Sequence, residues 1–267
     1  MPNVLLVEDN PVNQKVAAGL LKQIGILADI ANDGLEGIQA FRRKPYDLII
    51  MDCQMPRLDG WECTRAIRKL EATSGGGRRV PIVALTAQAL PGDREKCLSS
   101  GMDDYLTKPV DADLFLKAVQ AHLAGTAVVP PPTTMGASSG SSTAAAPVLV
   151  APTGPSPILD PVVVAKIRSY GDDALVDVYG TLKDELPGRR NQMSNALALG
   201  DLKTLATIAH AVKGGTGTLG CRDLHLRCAD LERLARSNDL AGCQALWPGL
   251  DGSLTATMAA LVALLAP

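Results

Sequence analysis

Asp52 stands at the end of a short apolar run, Leu48-Ile49-Ile50-Met51, and Pro56 and Gly60 mark the stretch after it as a loop. A second apolar run, Val4 to Val7, ends in Glu8-Asp9. Taken alone, an aspartate such as Asp52 merely opens a turn. Gathered on one edge of a sheet, the three carboxylates repel one another unless a cation neutralises them. Hard oxygen ligands with no His or Cys nearby select Mg2+, which keeps several waters and welcomes a phosphate oxygen. Such a site suits phosphoryl transfer: one carboxylate attacks phosphorus in line, while the metal and a lysine offset the charge of the moving group. Thr86 could hydrogen-bond one phosphoryl oxygen and Lys108 could pair with another.

A second candidate lies in HAVKGGTGTLG, His210 to Gly220. At 100° per residue the apolar stripe of this helix centres near Ala209 and Thr216, and His210 falls roughly 130° away, so it should face solvent. Gly214 and Gly217 flank it on the same side, and Lys213 follows one turn on. Glycines cost about 1 kcal/mol each inside a helix, so stability does not explain them. A bare surface beside an exposed imidazole would let another domain's acceptor loop come close. A neutral imidazole is a competent nucleophile near pH 7, and Lys213 could partly balance an added phosphate. A lone exposed histidine is usually only surface, so position by itself settles nothing.

The elements that must hold these residues follow from periodicity. Apolar runs at Val4–Val7, Ile26–Ile30, Leu48–Met51, Val80–Thr86 and Met102–Leu106 alternate with helical patterns. Asn10-Pro11 reads as an N-cap and first helical position before a stripe through Val16, Leu20 and Ile24, closed by Gly25. Further helices are expected over Asp33–Arg43, Leu58–Glu71 and Pro91–Ser100, and from the cap Asp111 to about Leu123. Five alternations predict an α/β fold with a doubly wound, five-stranded parallel sheet, whose right-handed crossovers set Glu8, Asp9, Asp52, Thr86 and Lys108 along a single edge. The loop Ser74-Gly75-Gly76-Gly77 lacks the lysine and hydroxyl of a phosphate-cradling loop, so no nucleotide role follows from it.

Residues 125–157 carry no charge and, apart from Met135 and Leu149, consist of Ala, Pro, Ser, Thr, Gly and Val. Such a stretch cannot bury a core and reads as a flexible tether, its 33 positions spanning roughly 30 Å. Beyond Ile158 the period becomes helical throughout. Asp160-Pro161, Asp172 and Asp201 read as helix starts. Four stripes follow: Leu175, Tyr179, Leu182 and Leu186; Leu202, Leu205, Ala209, Val212 and Leu219; Leu224, Cys228, Leu231 and Leu234; and Leu250, Leu254, Met258, Leu261 and Leu265. They predict a second, all-α helical bundle over 158–267. Pro187-Gly188 and Trp247-Pro248-Gly249 should kink or break the helices they fall in.

Composition excludes other classes. With 26 basic and 28 acidic side chains the net charge is −2, and aromatics make up 3% of the chain, which points away from nucleic acid and anionic membranes. The N-terminus leaves no room for a signal peptide, and no apolar run approaches the ~18 residues of a membrane span, so a cytoplasmic location is expected without membrane insertion. The six cysteines show no CxxC spacing and read as reduced thiols without a zinc role. Cys53 reads as strand packing, and His122 and His225 as ordinary polar positions.

The motifs LLVEDN, IIMDCQMP, ALTA and YLTKP, in this order and spacing over residues 1–124, resemble the receiver domain of two-component response regulators. The resemblance implies that Asp52 is the phosphoacceptor and that Glu8, Asp9, Asp52 and the backbone carbonyl of Gln54 organise Mg2+. It also implies that Thr86, Tyr105 and Lys108 sense the phosphate, and that a cis bond joins Lys108 to Pro109. The acidic pair is Glu-Asp where the family has Asp-Asp. The H-x-x-K-G pattern at His210 resembles histidine-containing phosphotransfer (HPt) domains, whose four-helix bundle would cover 158–267. That implies His210 as phosphoacceptor, Lys213 as electrostatic support and Gly214 as the small docking residue.

Together the resemblances imply a phosphorelay protein. A sensor histidine kinase would donate to Asp52, and His210 would exchange phosphoryl with Asp52 or with a downstream response-regulator receiver. No ATP-binding kinase core is visible, so the chain is either free-standing or the C-terminal part of a hybrid histidine kinase. An aspartyl-nucleophile phosphohydrolase would want DxD after the first strand, where Glu8-Asp9-Asn10 stands. A receiver that only binds and regulates a kinase would be expected to have lost an acceptor residue, and none is lost.

Overall fold

The computed structural model of the chain describes residues 1–73, 79–86, 91–108, 110–125 and 157–266. The expected tether, the Ser74–Gly77 loop and the Lys108–Pro109 bond fall wholly or partly outside the described residues.

Five strands, β1 (Val4–Val7), β2 (Ala28–Ala31), β3 (Leu48–Asp52), β4 (Ile82–Thr86) and β5 (Asp104–Thr107), form one sheet in the order β2-β1-β3-β4-β5. Every neighbouring pair is parallel. The expected strands at Ile26, Val80 and Met102 each begin two residues later than their apolar runs. Ile26, Val80 and Met102 are themselves buried, so they pack the core before the strand's hydrogen bonding starts. Residues of β1, β3 and β4 are buried on both faces, as a parallel sheet covered by helices requires.

Alternation along the strands divides the interior into two layers. Leu5, Val7, Ile49, Met51, Ile82 and Ala84 pack with Cys63 and Ile67 of α3 (Gly60–Thr73), with Ile38 and Phe41 of α2 (Gly34–Arg43) and with Cys97. Val4, Leu6, Leu48, Ile50, Val83 and Leu85 pack with Leu20 and Leu21 of α1 (Pro11–Gln23) and with Phe115 and Val119 of α5 (Ala112–Leu123). Between β4 and β5 lies α4 (Pro91–Ser100). Asn10, Asp33 and Asp111 cap α1, α2 and α5 through side-chain oxygens, satisfying amides that the first turn leaves without partners.

The remaining chain is helical: α6 (Pro161–Arg168), α7 (Asp172–Leu199), α8 (Leu202–Thr218), α9 (Arg222–Arg236) and α10 (Leu240–Leu264). The four predicted stripes meet in one core around Tyr179, Leu186, Leu205, Val212, Leu224, Leu231, Leu250 and Leu254. Gly200 takes the left-handed conformation that lets the chain reverse between α7 and α8.

Of the two outcomes expected at Pro187 and Pro248, a kink or a break, the break does not occur. Both prolines lie inside continuous helices. Each removes one intrahelical hydrogen bond, but neighbouring residues Leu186 and Leu250 are fully buried in the bundle core. Arg190 and Asp251 clamp α7 to α10 beside these points through two bonds of 2.6 and 2.7 Å. Tertiary packing here outweighs a local preference.

The two parts share core residues across their division, and one of them is fully buried. Val12, in the first turn of α1, has no exposed surface and packs into the core of the helical bundle. Full burial of a valine contributes roughly 1.5–3 kcal/mol, so the contact is more than incidental to how the bundle sits on the receiver-like sheet.

Candidate functional site at the domain junction

Parallel strands deliver their C-terminal ends to one edge, and the register Val7↔Met51 and Asp52↔Leu85 brings Glu8, Asp9 and Asp52 together. Oxygens of these three carboxylates lie within 4.8 Å of one another. Lys108, just beyond β5, bridges them, with Nζ 2.7 Å from Glu8 Oε2 and 2.8 Å from Asp52 Oδ2. Glu8 Oε1 accepts from the Asn13 side chain at 3.1 Å and from the Asn10 amide at 3.3 Å. The Gln54 amide donates to Asp52 Oδ1 at 3.1 Å.

The loop after Asp52 is shaped by two backbone requirements. Arg57 adopts a positive φ of 67°, and its guanidinium pairs with the buried Asp33 carboxylate. Gly60 presses against the chain at Asp52: a Cβ there would lie 2.1 Å from the Asp52 carbonyl oxygen, so no side chain fits.

Three carboxylates share one ammonium, and the proton affinities of Asp9 and Asp52 show it. Burial, and then the charge of Glu8, push the Asp9 carboxyl up to about 6, a rise that Lys108 and His210 partly offset. Burial and Glu8 likewise hold Asp52 well above the ordinary carboxylate range. Burial works against the Lys108 ammonium, but Asp52 and Glu8 outweigh it and keep its pKa above the usual value. A divalent cation fits this donor set, because it supplies the positive charge the cluster lacks through oxygen ligands.

Thr86 is buried at the end of β4, one residue past the partner of Asp52. Tyr105 lies on β5, partly buried against the core on the α2–α3 side. Neither lines the cleft above the carboxylates.

That cleft is closed from above by α8. Glu8, Asp9, Asp52, Gln54 and Lys108 line one side; His210, Lys213, Gly214, Gly217 and His225 line the other. Its volume of about 40 Å³ is that of a few waters at most. The expectation that His210 faces solvent is therefore modified. The ring is directed off the bundle core as predicted, but the sheet edge covers it and leaves its side chain 23% exposed.

A residue that periodicity did not single out holds the imidazole. Glu232 of α9 is buried, with Oε1 2.9 Å from His210 Nδ1 and Oε2 2.7 Å from Lys213 Nζ. Arg236 approaches the same carboxylate at 2.6 Å. Burial by itself would raise the Glu232 pKa, yet the bonds from His210 and Lys213 prevail and hold it at about 2. An ionised carboxylate only accepts, so Nδ1 carries the proton and, in the neutral ring, Nε2 holds the free lone pair. Leu224, Cys228 and Glu232 recur every fourth residue. A carboxylate continuing an apolar row was the available signal.

The bundle reaches the sheet domain through α1. Asn10 Nδ2 donates to the Ala211 carbonyl at 2.8 Å while its Oδ1 caps α1, and Thr218 Oγ1 donates to Asn13 Oδ1 at 3.2 Å. A Cβ on Gly214 would lie 3.4 Å from Asn13 Nδ2, and one on Gly215 3.4 Å from Val12. Gly217 departs from the expected bare docking surface: a Cβ there would strike the ring of His225 at 2.6 Å. His225 in turn is no ordinary polar position, since its Nδ1 donates to the Lys213 carbonyl at 3.0 Å and its ring lines the cleft. His122 pairs with Asp104 at 3.1 Å, buried against the sheet.

Comparison with known proteins agrees with this architecture. Residues 4–120 match the family model of the response regulator receiver domain, and residues 177–263 match that of the Hpt domain. The sensor histidine kinase GacS of Pseudomonas protegens is 31% identical over 245 residues, which is 92% of this chain and 25% of that protein. Hybrid signal transduction histidine kinase B of Dictyostelium discoideum is 45% identical over 128 residues, 45% of this chain and 6% of that protein. The chain thus spans a quarter or less of the length of the curated relatives it matches. Among solved structures, the receiver domain of sensor histidine kinase PA1611 from Pseudomonas aeruginosa PAO1, with magnesium ion coordinated in its active site cleft, is 45% identical. It covers 46% of this chain and 98% of that one, with a TM-score of 0.42. Among the described residues no helix is long and apolar enough to cross a membrane. With a sheet edge of three carboxylates facing a helix that carries His210, residues 4–120 are a response regulator receiver domain and residues 177–263 an Hpt domain, the pairing of two-component phosphorelay signalling.

Proposed function

We propose that the chain relays a phosphoryl group between Asp52 and His210, with the receiver occupying residues 1–124 and the phosphotransfer bundle residues 158–267. The observation that carries this reading is that both side chains line a single cleft. A sensor histidine kinase is the donor to Asp52, and a downstream response-regulator receiver is the alternative partner of His210.

Glu8, Asp9, Asp52 and the backbone carbonyl of Gln54 would hold Mg2+. Bound there, the ion supplies positive charge beside the oxygens of the transferring phosphoryl group. The chain's own groups do the rest. Lys108 neutralises one phosphoryl oxygen of the aspartyl phosphate, and Thr86, set behind the cleft lining at the end of β4, donates to another once it turns toward the bound group. The Nε2 lone pair of His210 attacks phosphorus in line, and the N–P bond forms as the P–O bond to Asp52 breaks and its electron pair returns to the carboxylate. The ring keeps its Nδ1 proton and becomes cationic, and the ionised Glu232 carboxylate balances that charge. Lys213 offsets the phosphate now on the ring. In the reverse direction Asp52 is the nucleophile and the neutral imidazole leaves. Thr86 and Tyr105 are the proposed switch pair that senses phosphorylation of Asp52.

The test supplies Mg2+ and a phosphodonor kinase to wild type, Asp52→Asn and His210→Gln. Base-labile acyl phosphate should vanish in Asp52→Asn and acid-labile phosphohistidine in His210→Gln. Undiminished label of both kinds on both variants would end the assignment.

A further inference from the structure

We infer that the exchange runs within one chain, because the α1 face of the receiver is fitted to this chain's own α7–α8 pair, with Lys15 and Asp177 as a charge lock that discriminates it from other phosphotransfer domains. The inference rests on the relay proposed above and names the partner in it.

Four observations support a built interface. Val12 is wholly buried, and the side chains around it belong to the bundle. Asn10 and Asn13 each reach α8 with one end of the amide while the other end serves the receiver, capping α1 or bonding Glu8. Tyr170, after α6, is partly buried and packs against the receiver core on the α1–α5 side. Lys15 pairs with the Asp177 carboxylate and also lies 3.4 Å from its carbonyl oxygen.

The last pair differs in kind from the others. Neither Lys15 nor Asp177 lines the cleft, so the transfer chemistry does not demand them. They matter only if α7 of this particular bundle is the surface that α1 meets. His210, Lys213, Gly214 and Gly217 of α8 already take up the side of the cleft that faces Asp52, so an outside donor or acceptor reaches Asp52 from that side only by displacing the bundle. Two modules on one chain meet at an effective concentration of about millimolar, which an untethered partner at micromolar level does not match.

The experiment uses the full chain with Mg2+ and phosphoramidate, a small donor that labels Asp52 without docking, and follows phosphohistidine on His210. Transfer is expected to be first-order and independent of protein concentration in wild type. An equimolar mixture of Asp52→Asn and His210→Gln chains, which can transfer only between molecules, should be at least tenfold slower at micromolar concentration and should speed up as concentration rises. Lys15→Glu and Asp177→Lys should each slow wild-type transfer up to about fivefold at low salt, as expected for an exposed pair. The double exchange should restore it, with all rates taken per labelled Asp52. Rates that scale with wild-type concentration, a mixture as fast as wild type, or a double exchange no faster than either single change would overturn the inference while leaving the relay intact. Absence of phosphohistidine on wild type would instead remove the relay itself.

Discussion

Glu232 holds His210 Nδ1 at 2.9 Å and Lys213 Nζ at 2.7 Å, so one buried carboxylate orients the imidazole and anchors the lysine beside it. Its role is positional, which distinguishes it from the two acceptors. Glu232→Gln keeps the shape but removes the charge that balances a cationic ring. It should slow formation of phosphohistidine about tenfold, measured as the rate of acid-labile label at saturating donor, while His210 remains the labelled residue.

The same carboxylate makes a pH prediction. Its folded pKa is depressed to about 2, so its stabilising contribution is present above the unfolded carboxylate range and is lost as pH falls toward 2. Urea unfolding of wild type and Glu232→Gln should differ by about 1 kcal/mol at pH 7. The gap should close progressively below about pH 4.5. A gap as wide at pH 2 as at pH 7 would contradict the assignment.

Asp9 shows the opposite sign. Its carboxyl is raised to about 6, so the folded chain binds that proton more tightly than the unfolded one, and stability falls as pH rises from about 4 to 6. Asp9→Asn should therefore stabilise the metal-free protein above pH 6. Added Mg2+ should stabilise wild type by about 2.7 kcal/mol at a hundredfold excess over Kd, and this gain should shrink in Asp9→Asn. Thermal unfolding with and without EDTA measures both effects.

Asn13 links the acidic cluster to the bundle, bonding Glu8 on one side and Thr218 on the other. Asn13→Ala removes a donor from a buried carboxylate, a loss worth about 1–3 kcal/mol. Both stability and the Asp52-to-His210 transfer rate should fall. Thr218→Val leaves the Glu8 bond in place and loses the hydroxyl's bonds to Asn13 and to the Gly214 carbonyl of its own helix, so it should slow transfer with a smaller loss of stability.

Gly60→Ala places a methyl where only 2.1 Å separates it from the Asp52 carbonyl oxygen. Backbone must move to relieve the clash, at a cost of about 3 kcal/mol. Denaturation midpoints should fall accordingly, and labelling of Asp52 should weaken with them. By contrast Gly19→Ala, on an open helix surface with nothing within 4 Å, should leave both unchanged or slightly improved.

The sheet was legible because buried parallel strands are short, apolar and bounded by turn residues, and because all of them deliver their polar ends to one edge. That rule suffices to gather Glu8, Asp9, Asp52 and Lys108. The bundle was legible from its stripes, but Pro187 and Pro248 do not break their helices as a local rule allows, since such a rule cannot weigh the clamp of Arg190 on Asp251. Gly217 and His225 were read apart, one as open surface and one as ordinary, when a ring on α9 simply fills the space a glycine on α8 leaves. Glu232 and the outward contacts of Asn10, Val12 and Asn13 connect helices far apart in the chain. No periodicity within a single segment carries such a pairing. Val12 comes nearest, because it extends the row Val16, Leu20 and Ile24 backward by one turn, beyond where the receiver's own core can use it.

That valine has a further consequence. A side chain that completes another module's interior is an oily knob whenever the two modules part, and the hollow it leaves on the bundle is just as costly to wet. The open chain is thus the stickier form, and it returns to the closed one or captures a surface of matching contour. Separation and partner choice become a single event at one methyl-bearing position.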